Sequence, residues 1–136
     1  MELKNKDLYF RFVKFGIVGG SGVVVNSAIL WFCHDIIGLI IPIASVFSVG
    51  ISILTNFLLN DFWTWNSASA KRHSFKTRLL RYYISASLGA AINYFVLIFL
   101  TEIFGMYYLI ANLIGILFGT VSNFLLSEMW VFKRKT

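Results

Sequence analysis

Residues 56–63 read NFLLNDFW and residues 123–130 read NFLLSEMW. The offset is 67, and sliding the chain by 67 positions without a gap aligns far more than this octapeptide. Arg11 falls on Arg78, Lys14 on Arg81, Gly22 on Gly89, Asn26 on Asn93 and Asp35 on Glu102. Gly38 falls on Gly105, Ala44 on Ala111, Asn56 on Asn123, Asp61 on Glu128 and Trp63 on Trp130. An apolar composition matches Leu with Ile by chance, but it does not keep scarce polar residues in register. Duplication is the better explanation, with repeat 1 over about 11–66 and repeat 2 over about 78–134 of a single domain, 1–136.

The composition says what the repeated unit is made of. Apolar residues are 58% of the chain and charged residues only 13%, far from an average soluble protein. Four stretches carry no Lys or Arg: Phe15–Cys33, Leu39–Leu59, Tyr82–Thr101 and Tyr107–Leu126. Each is about 20 residues, the length at which a helix crosses a hydrocarbon slab of about 30 Å. A soluble core of this size cannot shelter four helices that are apolar all round. The expected fold is an all-α integral membrane protein with four transmembrane helices, arranged as two two-helix repeats. Pro42 falls just inside the start of the second helix, where a missing N–H costs least.

All twelve basic residues sort to one side of that arrangement. Lys4, Lys6, Arg11 and Lys14 precede the first span, and Lys71, Arg72, Lys76, Arg78 and Arg81 lie between the second and third. Lys133, Arg134 and Lys135 follow the fourth. The positive-inside rule then places both termini and the middle loop in the cytoplasm, in a multi-pass protein of the inner membrane. A unit with two spans begins and ends on one side, so its copy inserts the same way, and the repeats are expected to be parallel. The segment NSASAKRHSFKT, residues 66–77, reads as the linker.

The net charge of +6 is accounted for by this inner-face distribution, so no nucleic-acid partner is expected. The first span is longer than a signal-peptide core and no small-residue cleavage site follows it, so it is expected to stay in the mature protein. Cys33 is the single cysteine, which excludes an internal disulfide and leaves packing as its role.

The second helix carries Ser45, Ser48, Ser52, Thr55 or Asn56, and Asn60 on one face; the fourth carries Asn112, Gly115, Gly119, Ser122 or Asn123, and Ser127. Gly22 with Asn26, and Gly89 with Asn93, make a thinner stripe on the other two helices. Two readings stay open. Small and polar residues let membrane helices pack and hydrogen-bond, or the asparagines Asn26, Asn56, Asn60, Asn93 and Asn123 line a polar groove that offers hydrogen bonds to a head group.

Several chemistries are excluded. The run FGIVGGSG, residues 15–22, fits neither phosphate-loop spacing and follows no strand. All six carboxylates fall at or beyond helix ends, so none sits in mid-membrane to hold a cationic drug or relay a proton. His34 and His73 lack partners at useful spacing and are read as solvated. No catalytic, metal or cofactor constellation is present, and no enzymatic activity of the chain alone is expected.

At RFVKFGIVGGSGVVVN (11–26), NFLLNDFWTW (56–65) and NFLLSEMWVF (123–132) the sequence resembles the GtrA-like family of small four-helix membrane proteins. The resemblance implies a place in polyprenyl-phosphate-linked sugar pathways, moving the lipid-linked sugar to the outer leaflet for glycosylation of a surface polysaccharide or teichoic acid. Related domains are fused to dolichyl-phosphate-mannose synthases, which implies a second role as anchor or stabilising partner of a membrane glycosyltransferase. A small-molecule exporter is the third reading. The family often has a basic residue after the second Asn of its motif, where this chain has Asp61. Arg11, Lys14, Arg78 and Arg81 are the cations placed to meet the phosphate instead, or to act as topology anchors. Trp63 and Trp130 are read as interfacial anchors or sugar-stacking rings, and Asp61 and Glu128 as partners for nearby cations at the entrance. Four short helices enclose little volume, so a homo-oligomer is expected, with Gly115 and Gly119 as one contact.

Overall fold

The computed structural model describes residues 2–66, 71 and 73–134, with side chains from residue 4 onward. Residues 67–70 and Arg72 of the expected linker, and Lys135, lie outside the described residues. The chain divides into two compact units, Met1–Ala70 and Lys71–Thr136.

The first unit is a helical hairpin. Its α1 (Glu2–Trp31) ends in a π-helical turn, Phe32–Ile36, and its α2 (Ile41–Leu59) ends in another, Asn60–Thr64. The second unit pairs α3 (Phe75–Phe104) with α4 (Tyr108–Leu126), and α4 ends in a π-helical turn, Ser127–Val131. All four helices are long and apolar enough to cross a membrane.

The sequence reading placed the basic residues ahead of the spans, and here the structure differs. Helix α1 starts at Glu2 and α3 at Phe75, so Lys4, Lys6, Arg11, Lys14, Lys76, Arg78 and Arg81 lie within helices. Thirty residues make a helix of about 45 Å, longer than the hydrocarbon core, and its surplus turns can reach the head-group region. The cause is local. Lys and Arg are good helix formers, no Gly or Pro interrupts the chain between Phe75 and Leu88, and Ser74 caps α3 by accepting from the Thr77 N–H.

The turns follow from glycine. Gly38 and Gly105 have φ of 83° and 61°, the left-handed region that L side chains resist. Each turn is closed by a bond across it, the Leu39 N–H to the Cys33 carbonyl at 2.9 Å and the Met106 N–H to the Leu100 carbonyl at 3.1 Å. Pro42 stands in the first turn of α2, as the sequence predicts. The π-helical ends are closed alike: the Trp65 N–H meets the Asn60 carbonyl and the Phe132 N–H meets the Ser127 carbonyl, both at 2.8 Å. These paired contacts are each 67 residues apart.

Packing within each hairpin rests on small residues. In the first, Gly22 faces Asn56 and its carbonyl accepts from Ser52 Oγ at 2.7 Å. In the second, the same two positions are Gly89 and Gly119, whose backbones approach directly; a Cβ on Gly119 would meet the Gly89 carbonyl oxygen at 2.5 Å. Gly115 is covered by Asn93. This overturns the expectation that Gly115 and Gly119 form a contact between copies of the chain, because the groove they make is filled by α3. Aromatic pairs lock the basic ends, Phe15 against Trp65 and Tyr82 against Phe132, both with centroids 6.1 Å apart. Cys33 is buried, while Ile, Leu, Val and Phe side chains such as Val24, Val46, Phe95 and Leu113 cover the outer surfaces.

Candidate functional site

The C-terminal ends of α2 and α4 combine exposed carbonyls with the negative end of a helix dipole, and a cation is favoured at both. In the first unit the Lys14 ammonium lies 5.4 Å from the centre of the Trp63 ring. In the second, the Arg81 guanidinium lies 5.0 Å from that of Trp130. Each such contact is worth about 0.5–1 kcal/mol at an exposed site. Arg81 Nη1 also donates to the Trp130 carbonyl at 3.1 Å and to His73 Nε2 at 2.7 Å.

Arg78 is almost buried, donates from Nη1 to the His73 carbonyl at 2.6 Å and stands 5.8 Å from the Phe75 ring centre. His73 therefore is not the solvated residue that the sequence suggested: its carbonyl and its ring gather Arg78 and Arg81. An isolated backbone bridge pairs Lys71, two residues before His73, with Arg134, three residues after the π-helical turn that ends α4. His34 is likewise held, its Nδ1 lying 2.8 Å from the Leu39 carbonyl across the Gly38 turn. Arg11 is half-buried on α1; Asp61 is buried and Glu128 half-buried, each within a π-helical end.

The asparagines lie deeper in their hairpins. Asn56 packs on Gly22, and the Oδ1 atoms of both Asn56 and Asn26 are buried without a donor. Asn60 sits apart from them; it is 1% exposed, and its Oδ1 accepts from Thr64 Oγ1 at 2.8 Å within the π-helical turn. In the second unit Asn93 and Asn123 share a cleft of about 170 Å³, open between α3 and α4, with Gly89, Ala90, Gly119 and Thr120. Asn123 Oδ1 accepts from Ser85 Oγ at 2.7 Å and lies 3.5 Å from Ser127 Oγ. Asn93 Oδ1 is buried and has no donor. A carbonyl oxygen withdrawn from water without a partner costs roughly 1–3 kcal/mol, more in surroundings of low dielectric.

At the turn ends two further clefts open, one of about 280 Å³ beside Trp31, His34, Asp35 and Ile41, the other of about 500 Å³ beside Thr101, Glu102, Tyr108 and Asn112. Sequence reasoning did not anticipate them, although the alignment of Asp35 with Glu102 marked both places. Among the described residues no group of three or more His, Cys, Asp or Glu side chains could hold a metal ion.

Long apolar helices in pairs, with cation and tryptophan at one end and asparagine between the helices, define a multi-pass membrane domain. The family model described as GtrA/DPMS, transmembrane domain, matches residues 14–132, and the chain belongs to that family. Its similarity extends to a Pyrococcus furiosus protein named dolichol-phosphate mannosyltransferase, 46% identical over 109 residues. That alignment takes in 78% of this chain and 29% of the relative, so the chain spans under a third of the relative's length.

Proposed function

We propose that the chain carries a polyprenyl-phosphate-linked sugar across the inner membrane to supply glycosylation of a cell-surface polymer. The observation that carries this reading is the cleft of the second hairpin, where Asn93 brings an unsatisfied buried oxygen and Asn123 a second amide between the two helices. The prenyl tail needs no help in a bilayer. The phosphate and sugar do, and they require cations at the starting face and hydrogen-bond partners along the way.

Arg11, Lys14, Arg78 and Arg81 supply the cations in this reading, and Asn26, Asn56, Asn93 and Asn123 the stations. The contacts that recur at an offset of 67 support two parallel repeats, and the distribution of Lys and Arg supports cytoplasmic termini. With no nucleotide or ion step, net flux follows consumption of the sugar lipid outside. Because one hairpin pair encloses little volume, a homo-oligomer completes the path.

The relative favours a second reading, in which the domain anchors or stabilises a polyprenyl-phosphate glycosyltransferase without moving lipid. The two readings separate in native membranes. Loss of the chain should lower the fraction of sugar lipid open to an impermeant oxidant outside while leaving the total amount unchanged. A fall in the total with the outward fraction constant would reject carriage and establish support of synthesis.

A further inference from the structure

Arginine has five N–H donors and no acceptor, so the 2.7 Å contact between Arg81 Nη1 and His73 Nε2 fixes the state of the imidazole. Nε2 must carry a lone pair, and the ring is neutral with its proton on Nδ1. The other Nη1 hydrogen goes to the Trp130 carbonyl, the orphan acceptor at the end of α4. Both protons of one terminal nitrogen are thus spent on the protein, and the guanidinium carbon lies over the Trp130 ring, 5.0 Å from its centre. What remains is the opposite edge, Nε–H and Nη2–H, two parallel donors that meet no acceptor among the described residues.

That edge has the geometry by which arginine grips a phosphate with two hydrogen bonds. We infer that the Nε–Nη2 edge of Arg81 is a receptor for one phosphodiester anion at the basic end of the second hairpin, and that His73 is its positioning residue. The inference rests on the carrier reading above and says where the head group first docks. Arg78, almost buried and committed to the His73 carbonyl, fixes the segment that bears the imidazole, and so does the Lys71–Arg134 bridge.

The first hairpin has no such fork. The positions 67 residues earlier hold Lys14 for Arg81 and Lys6 for His73; an ammonium offers a point charge, and a lysine accepts no hydrogen bond. At these two positions, then, the fork belongs to the second hairpin.

The test uses the full chain in nanodiscs of neutral lipid, with farnesyl-phosphoryl-glucose as the probe and phosphatidylglycerol, also a phosphodiester, as the second ligand. Nitrogen NMR of His73 should show Nε2 as the unprotonated ring nitrogen, the reverse of the tautomer that free imidazole side chains prefer. Arg81→Lys, which keeps the charge, and His73→Ala should each weaken probe binding by about tenfold, the loss of one charge-assisted hydrogen bond of the fork or of its alignment. His73→Gln, whose Oε1 can accept from Nη1, should restore most of it. Loss for the sugar lipid alone assigns the fork to that lipid; equal loss for phosphatidylglycerol assigns it to phosphodiester lipids generally. Wild-type affinity in Arg81→Lys, or a proton on Nε2, would overturn the inference while leaving carriage intact. No binding of the probe by the folded wild-type chain would instead sink the carrier reading on which it rests.

Discussion

Gly119→Ala should destabilise the second hairpin by roughly 1–3 kcal/mol, the cost of overpacking a close helix contact. The new Cβ would lie 2.5 Å from the Gly89 carbonyl oxygen and 3.2 Å from the Asn93 Cβ. A carbonyl within a helix cannot turn aside, so the helices must part. The position 67 residues earlier is Ser52, whose hydroxyl occupies the corresponding space and bonds the Gly22 carbonyl. One hairpin has thus spaced its helices for a hydroxyl and the other for a hydrogen atom, and serine at 119 should not rescue the contact. Gly20→Ala is the control, since its Cβ would meet nothing within 4 Å. Thermal unfolding of the full chain in detergent reads the difference, and equal stability of Gly119→Ala and wild type would mean that the backbones do not approach so closely.

Replacing Asn26 and Asn93 together by Leu should cut surface glycosylation by more than tenfold and leave the folded protein as stable as before, or more so. Their Oδ1 atoms are buried without a donor, so the near-isosteric Leu removes two unpaired polar groups from apolar surroundings. The travelling head group loses two stations instead. At about 1 kcal/mol for each, transport falls by more than tenfold. Glycosylation at the wild-type level, with both proteins equally abundant in the membrane, would show that these amides serve packing alone.

Much of this was legible in the sequence, for identifiable reasons. Span length and the lack of internal charge gave the four helices, because hydrocarbon tolerates little else. The alignment of Gly38 with Gly105 held the signal for both tight turns, unread as such, because a left-handed residue at a helix end is a backbone requirement. The basic ends were harder to read. Whether Lys14 precedes a helix or lies in it is settled by helix propensity over residues 2–14, which a search for apolar runs ignores. The π-helical ends carry no periodic signature, so Asn60 could be placed on the groove face although its side chain closes its own turn. Gly115 and Gly119 looked like an interface between copies because a small-residue stripe does not name its partner, which here is α3. His73 was missed because its partners, Arg78 and Arg81, are recruited by the segment bridged at Lys71 and Arg134, a contact of two residues 63 positions apart. One signal was available: Lys14 with Trp63 and Arg81 with Trp130 pair at the same offset, and a cation and an aromatic ring duplicated together point to contact.

Transbilayer movement of a short-chain polyprenyl-phosphate sugar, measured in proteoliposomes that contain this chain alone, bears on carriage most directly. The carrier account predicts movement well above that of protein-free vesicles, and its loss when Arg11 and Arg78 are both replaced by Ala in protein that still folds. Movement no faster than in empty vesicles, with folded wild-type chain in the bilayer, would contradict it and leave the domain as the membrane partner of a transferase.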